Sequence, residues 1–128
     1  MTDMMTALEN YRLAEEYLDG GDPRSAVRLL EPLVSDDPND RPAQGTATTA
    51  VRLLLARAYF HTAQLRRAEQ QFRLVLDRDP TDHFAHFALG RTLERQSRPD
   101  EALRHYRIAA AMTPSVEYDA AVTRLSSS

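Results

Sequence analysis

The chain has 128 residues, 42% of them hydrophobic, and a net charge of −3, which suits one soluble domain with a core of its own. The absence of cysteine excludes a disulfide framework, a thiolate nucleophile and a sulfur-based zinc site. All 16 basic residues are arginine, which excludes lysine acetylation and Schiff-base chemistry, and no apolar run approaches the roughly 20 residues that span a bilayer.

A first helix is expected from Thr2 or Asp3 through Leu8, Tyr11, Leu13 and Tyr17, stopped by Gly20 and Gly21, which tolerate a left-handed cap. Asp22 then caps and Pro23 opens a second helix, because Pro at the first helical position gives up only an amide that had no partner. Its inner face carries Ala26 and Leu30, and Pro38 is expected to end it. Residues 41–48 hold Pro42 and Gly45 without apolar periodicity and read as an inserted loop or a frayed start to the third helix. Helix three is expected over about Thr48 to Thr62, helix four over Gln64 to Arg78, and helix five after a cap at Thr81 or Asp82. Pro99 opens helix six, which ends near Met112. Beyond Pro114, Tyr118, Ala121, Val122 and Leu125 stand at i, i+3, i+4 and i+7, one apolar stripe of a last helix over 115–125, with Ser126 to Ser128 expected to fray.

Three stretches repeat one pattern. The third reads Leu89, Gly90, Leu93, Ala102, Tyr106, Pro114 and the second Leu55, Ala56, Tyr59, Ala68, Phe72, Pro80, offset by 34 throughout. The first, Leu13, Ala14, Tyr17, Ala26, Leu30, Pro38, lies 42 residues before the second, one period plus an insertion of 8. Ala26, Ala68 and Ala102 are small because two helix backbones must pass closely there.

These residues resemble the tetratricopeptide repeat, a unit of helix, tight turn and helix. The resemblance implies an all-α, right-handed superhelical solenoid of three helix-turn-helix repeats, about seven helices in all. The repeats fall at about 7–40, 49–82 and 83–114 in a single domain, with the last helix capping the final stacking surface. It also implies a non-enzymatic scaffold that binds a peptide or helix of a partner protein in a concave groove lined by the first helix of each repeat; a cytoplasmic location is the expectation from the lack of a long apolar run and of a signal peptide. Placed on this chain, that groove takes Tyr11 and Glu15 from repeat one, Leu53, Arg57 and Phe60 from repeat two, and Phe84, Phe87, Arg91 and Glu94 from repeat three. The aromatic positions are equally suited to the core, and the two arginines could pair with Glu15 and Glu94. Some members of the family clamp the C-terminal carboxylate of a chaperone peptide with Lys, Asn and Arg. At the matching places this chain has Tyr11, Glu15, Leu54, Phe84 and Ala88, so the clamp is absent.

Residues 1–40 carry three Arg against ten Asp and Glu, net −7, whereas residues 41–80 carry seven against three, net +4. Such a split disfavours a broad nucleic-acid patch or a membrane surface and leaves room for a homo-oligomer in which unlike faces meet. A secretion-type chaperone is a further alternative, since such proteins are of similar size. His83 and His86 share a helix face but lack a third ligand, so no metal site is expected. With no Ser, His and Asp constellation, paired carboxylates or phosphate-cradling Gly loop, neither catalysis nor a cofactor is expected. Met1 to Glu9 is polar and acidic, unlike a signal peptide.

Overall fold

A computed structural model describes residues 3–34 and 49–127, with side chains from residue 7 in the first helix. Among the described residues there are seven α-helices, one 3-10 turn and no strand. They are α1 Asp3–Asp19, α2 Pro23–Leu30, the 3-10 turn Glu31–Leu33, α3 Thr49–His61, α4 Leu65–Arg78, α5 His83–Arg95, α6 Pro99–Met112 and α7 Val116–Ser126. None of them is long and apolar enough to cross a membrane. The expected inserted loop at 41–48 and the helix stop at Pro38 lie outside the described residues.

The chain divides into two compact units, Met1–Gln64 and Leu65–Ser128. In the first, α1 packs on α2, α2 on α3, and α1 also meets α3. In the second, α4 packs on α5, α5 on α6, and α6 on α7. The small residues Ala14, Ala26, Ala56, Ala68 and Ala102 are all fully buried, as close helix approach requires.

The helix starts follow local chemistry. The Asp22 carboxylate accepts from the Ser25 amide at 3.2 Å and its hydroxyl at 2.7 Å, and these bonds, the hydroxyl's first, hold its pKa below the usual carboxylate value. Asp82 caps α5 through the Ala85 amide at 3.0 Å, while Thr81 instead donates to Asp79. Ser115 caps α7 through the Tyr118 amide at 3.2 Å. Pro23 and Pro99 sit in the first turns of α2 and α6, as expected. Of the end expected to fray, Ser126 is helical and the Ser127 amide donates to Thr123, while Ser128 lies outside the described residues.

One helix end differs. The α-helical part of α2 stops at Leu30, well before Pro38, and tightens into the 3-10 turn Glu31–Leu33. Pro32 explains it: a proline nitrogen has no hydrogen to offer the carbonyl of Arg28, and its ring crowds that carbonyl. Tyr59 of α3 then reaches this turn, donating its hydroxyl to Glu31 at 2.5 Å.

The turn between the two helices of each repeat is built the same way three times. Gly21, Ala63 and Ser97 have positive φ, at 86°, 61° and 62°. Each donates to the carbonyl three residues back (Leu18, Phe60, Glu94), and the following residue donates to the carbonyl five back (Tyr17, Tyr59, Leu93), at 2.7 to 3.2 Å. This is the Schellman closure. Gly20, by contrast, does not have a positive φ, so only the second glycine of the pair does the work expected of both. Ala63 and Ser97 carry a Cβ where glycine is unstrained. Ala63→Gly and Ser97→Gly are therefore expected to stabilise the protein by about 1 kcal/mol each, raising the thermal midpoint by roughly 3–5 °C per change. Gly21→Ala should have the opposite effect, and thermal denaturation followed by circular dichroism checks all three.

Candidate peptide-binding face

In the first unit, α1 contributes Tyr11 and Glu15 one turn apart, and α3 contributes Leu53, Arg57 and Phe60 at i, i+4 and i+7. Tyr11, Leu53 and Arg57 are half-buried and Glu15 is exposed. The two helices bring these side chains within electrostatic reach of one another. The Tyr11 phenol is held above its ordinary pKa by burial and then by the Glu15 carboxylate, with Arg57 acting in the opposite sense. Tyr11 thus stays protonated, and both an anion and a cation act on its hydroxyl. Phe60 is buried, with its ring edge-on to His61 at 5.4 Å, and belongs to the packing more than to the surface.

In the second unit, α5 carries Phe84, Phe87, Arg91 and Glu94 along one face. They divide in role. Phe84 and Arg91 are exposed. Phe87 is only 6% exposed, its ring set against Tyr106 at 5.4 Å and Tyr118 at 4.7 Å between centroids. Glu94 accepts from the Tyr106 hydroxyl at 2.7 Å and from both terminal nitrogens of Arg124, one of them at 3.0 Å. The Arg124 bond first, then that of Tyr106, outweighs burial and holds the Glu94 carboxyl below its ordinary pKa. Phe87 and Glu94 are thus engaged by the protein's own side chains.

The sequence reading had not connected α7 to this face. Tyr118 lies one 34-residue period after Phe84, and Arg124 one period after Gly90. The signal was present: the cap continues the first-helix register, but a long cation replaces the small residue that lets a second helix close in. Val122 and Leu125 are half-buried, while Tyr118 and Ala121 are buried.

The histidines are occupied with each other and with neighbours. His83 Nδ1 lies 2.8 Å from the Tyr118 hydroxyl. His86 Nε2 is 2.9 Å from the Pro80 carbonyl, so that nitrogen carries the proton; its Nδ1 then accepts from His105 Nδ1 at 3.1 Å. Among the described residues no group of three or more potential metal ligands comes together.

A carboxylate bridge completes the second unit. Glu69 of α4 accepts from Arg73 at 2.9 Å, from Gln96 at 3.0 Å and from Arg98 at 2.8 Å, and Arg98 also chelates Glu101. Burial opposes ionisation of Glu69, but the three donors win and lower its pKa.

No curated protein matches the chain in sequence. A family model described as tetratricopeptide repeat matches residues 11–83 and again 53–117. Among solved structures the chain is similar to MamA, at 16% identity and a TM-score of 0.81, covering 94% of this chain and 67% of that one. It is similar to the first TPR of Spaghetti (RPAP3) bound to the HSP90 peptide SRMEEVD, at 16% identity and 0.78, covering 98% and 94%. PcrH in complex with the chaperone binding region of PopB is similar at 16% identity and 0.70, covering 95% and 93%. At such identities the likeness is one of fold.

Proposed function

Because the chain belongs to the tetratricopeptide repeat family, we propose that it is a non-enzymatic protein-binding module, one domain over 1–128, that takes a peptide or helix of a partner along the first-helix face of its repeats. The observation that carries this reading is the packing of α1 on α3, which carry half-buried Tyr11 with exposed Glu15 and half-buried Leu53 with half-buried Arg57, the Glu15 carboxylate and the Arg57 guanidinium acting on the Tyr11 phenol in opposite senses. Such a mixed site takes a segment with an apolar side chain flanked by a carboxylate or amide. Phe84 and Arg91 repeat the aromatic and cation combination on α5. A cytoplasmic location and a scaffolding role belong to the same proposal.

The structures of the Spaghetti repeat with an HSP90 peptide and of PcrH with a PopB segment support peptide capture as a use of this fold. Without the carboxylate clamp, the first of these partners is the poorer guide. The second favours an alternative reading as a chaperone that holds a segment of another protein.

Peptide display against the host proteome tests the assignment. Ligands selected on the native protein are expected to bind Tyr11→Ala/Arg57→Ala at least about tenfold more weakly, with an unchanged circular dichroism spectrum. Equal binding by the double variant would remove this face from the function.

A further inference from the structure

We propose that the outer face of α1 in one copy of this protein docks on the corner formed by the end of α6 and the start of α7 in a second copy. The inference is independent of the peptide-binding reading, since it uses other faces of the helices.

The corner is apolar where the fold does not need it to be. Repeat two carries Asp77, Arg78 and Asp82 at the end of α4 and the start of α5; one period on, repeat three carries Ala111, Met112 and Val116. All three are exposed, Val116 at 88% and Met112 at 40%, and Ile108, one turn before Met112, is exposed as well. Arg104, Arg107, Ile108, Ala111 and Met112 stand at i, i+3, i+4, i+7 and i+8, so two exposed arginines border the apolar patch on the same stripe. Clustered exposed apolar side chains rimmed by charge mark an interaction surface.

The outer face of α1 has the complementary character. Leu13 and Tyr17 are 40% and 37% exposed, although their counterparts Leu55 and Tyr59 of α3, and Leu89 and Leu93 of α5, are buried. Helix α3 packs on the preceding α2 and α5 on the preceding α4; among the described residues α1 has no such predecessor. Where α3 and α5 bury Val51 or Ala85, and Ala58 or Thr92, α1 carries Glu9 and Glu16. Glu9, Glu16 and Asp19 of α1 stand against the single cation of that helix, Arg12. An apolar pair with acidic borders thus meets an apolar patch with basic borders, whereas pairing of α1 with another α1 would set acid against acid. The contact joins unlike surfaces and is heterologous.

Complementary face variants provide the test. Ile108→Glu/Met112→Glu spoils the corner, and Tyr17→Arg spoils the α1 face. The native protein is expected to gain mass with concentration in analytical ultracentrifugation and to lose it at high salt. Each variant alone should associate about tenfold more weakly or worse, while an equimolar mixture restores a one-to-one dimer, which also shows that both variants fold. Because the chain has no cysteine, Leu13→Cys and Met112→Cys copies give a second readout: mixed disulfides should exceed random pairing. A native protein that stays monomeric at low salt and high concentration, a mixture that fails to dimerise, or disulfides at the random ratio would each overturn the proposal. Association that survives in Tyr17→Arg alone would do the same and assign the corner to self-pairing.

Discussion

Gly90→Val is expected to cost about 3 kcal/mol, and Gly90→Ala about 1–3 kcal/mol, in urea denaturation. Glycine in a helix interior ordinarily destabilises by about 1 kcal/mol relative to alanine, so adding a methyl group at an open position would help. Here a Cβ would lie 2.6 and 2.7 Å from two carbons of the Tyr106 ring, well inside van der Waals contact. The ring cannot retreat cheaply. It is fully buried between α5 and α6, stacks near Phe87, and its hydroxyl is tied to Glu94, which burial and that carboxylate make still harder to ionise. Repeat one places Ala14 and Leu30 at the same two positions, a larger residue on one side and a smaller one on the other. Tyr106→Leu should accordingly be costly alone yet recover part of the loss in Gly90→Ala, and the double-mutant cycle should show a coupling of about 1 kcal/mol or more. Additive effects would mean that the ring has another way out.

The second large effect is a loss of stability between pH 6.5 and about 4. Burial, then His86 and Arg73, push the pKa of His105 down to about 4 from an ordinary 6.5, with Glu101 opposing and Arg104 adding to the shift. The folded-state value is depressed, so over this window the unfolded chain takes up a proton that the folded one refuses. Stability is complete above pH 6.5 and falls as the pH drops through the window. His105 is only half-buried, and solvent screening limits the effect to roughly 1–2 kcal/mol. The carboxylates of Glu69, Glu94 and Glu101, all with lowered pKa values, lose their contribution in the same direction but at lower pH. His105→Asn separates the two: the amide keeps a donor for His86 Nδ1 and does not titrate. Its denaturation midpoint should be flat between pH 6.5 and 4.5 where that of the native protein declines; parallel declines would place the proton uptake elsewhere.

The repeat register was legible because its markers are sterically strict. A small residue at Ala26, Ala68 and Ala102 and a proline after Asp22 or Arg98 each have one structural use, and the helices appear where those markers put them. Pro32 was passed over because a proline near the end of a helix is outweighed, in a reading by period, by the consensus proline that follows at Pro38. The left-handed residues Ala63 and Ser97 were invisible for the opposite reason: only Gly21 has a composition that advertises a positive φ. On the candidate face, the family resemblance together with helical spacing named Phe84, Phe87, Arg91 and Glu94, and all four lie on α5. Spacing could not say that Tyr118 and Arg124 of α7 engage two of them, since that depends on how far a long side chain reaches across to a neighbouring helix.

The Glu69 bridge has a consequence for how the second unit unfolds. By sequence Glu69 belongs to the second repeat, whereas two of its donors, Gln96 and Arg98, flank the left-handed Ser97 in the turn of the third. In a linear array each repeat is stabilised by its own fold and by coupling to its nearest neighbour. One carboxylate shared among three donors, with the Arg73 to Glu101 contact at 3.5 Å beside it, adds a polar link to that coupling, and losing it would leave Arg98 with Glu101 as its carboxylate partner. The amides of the turn should then exchange with solvent by local opening in Glu69→Ala, and together with α4 in the native protein, so that the opening of one repeat is tied to that of the next.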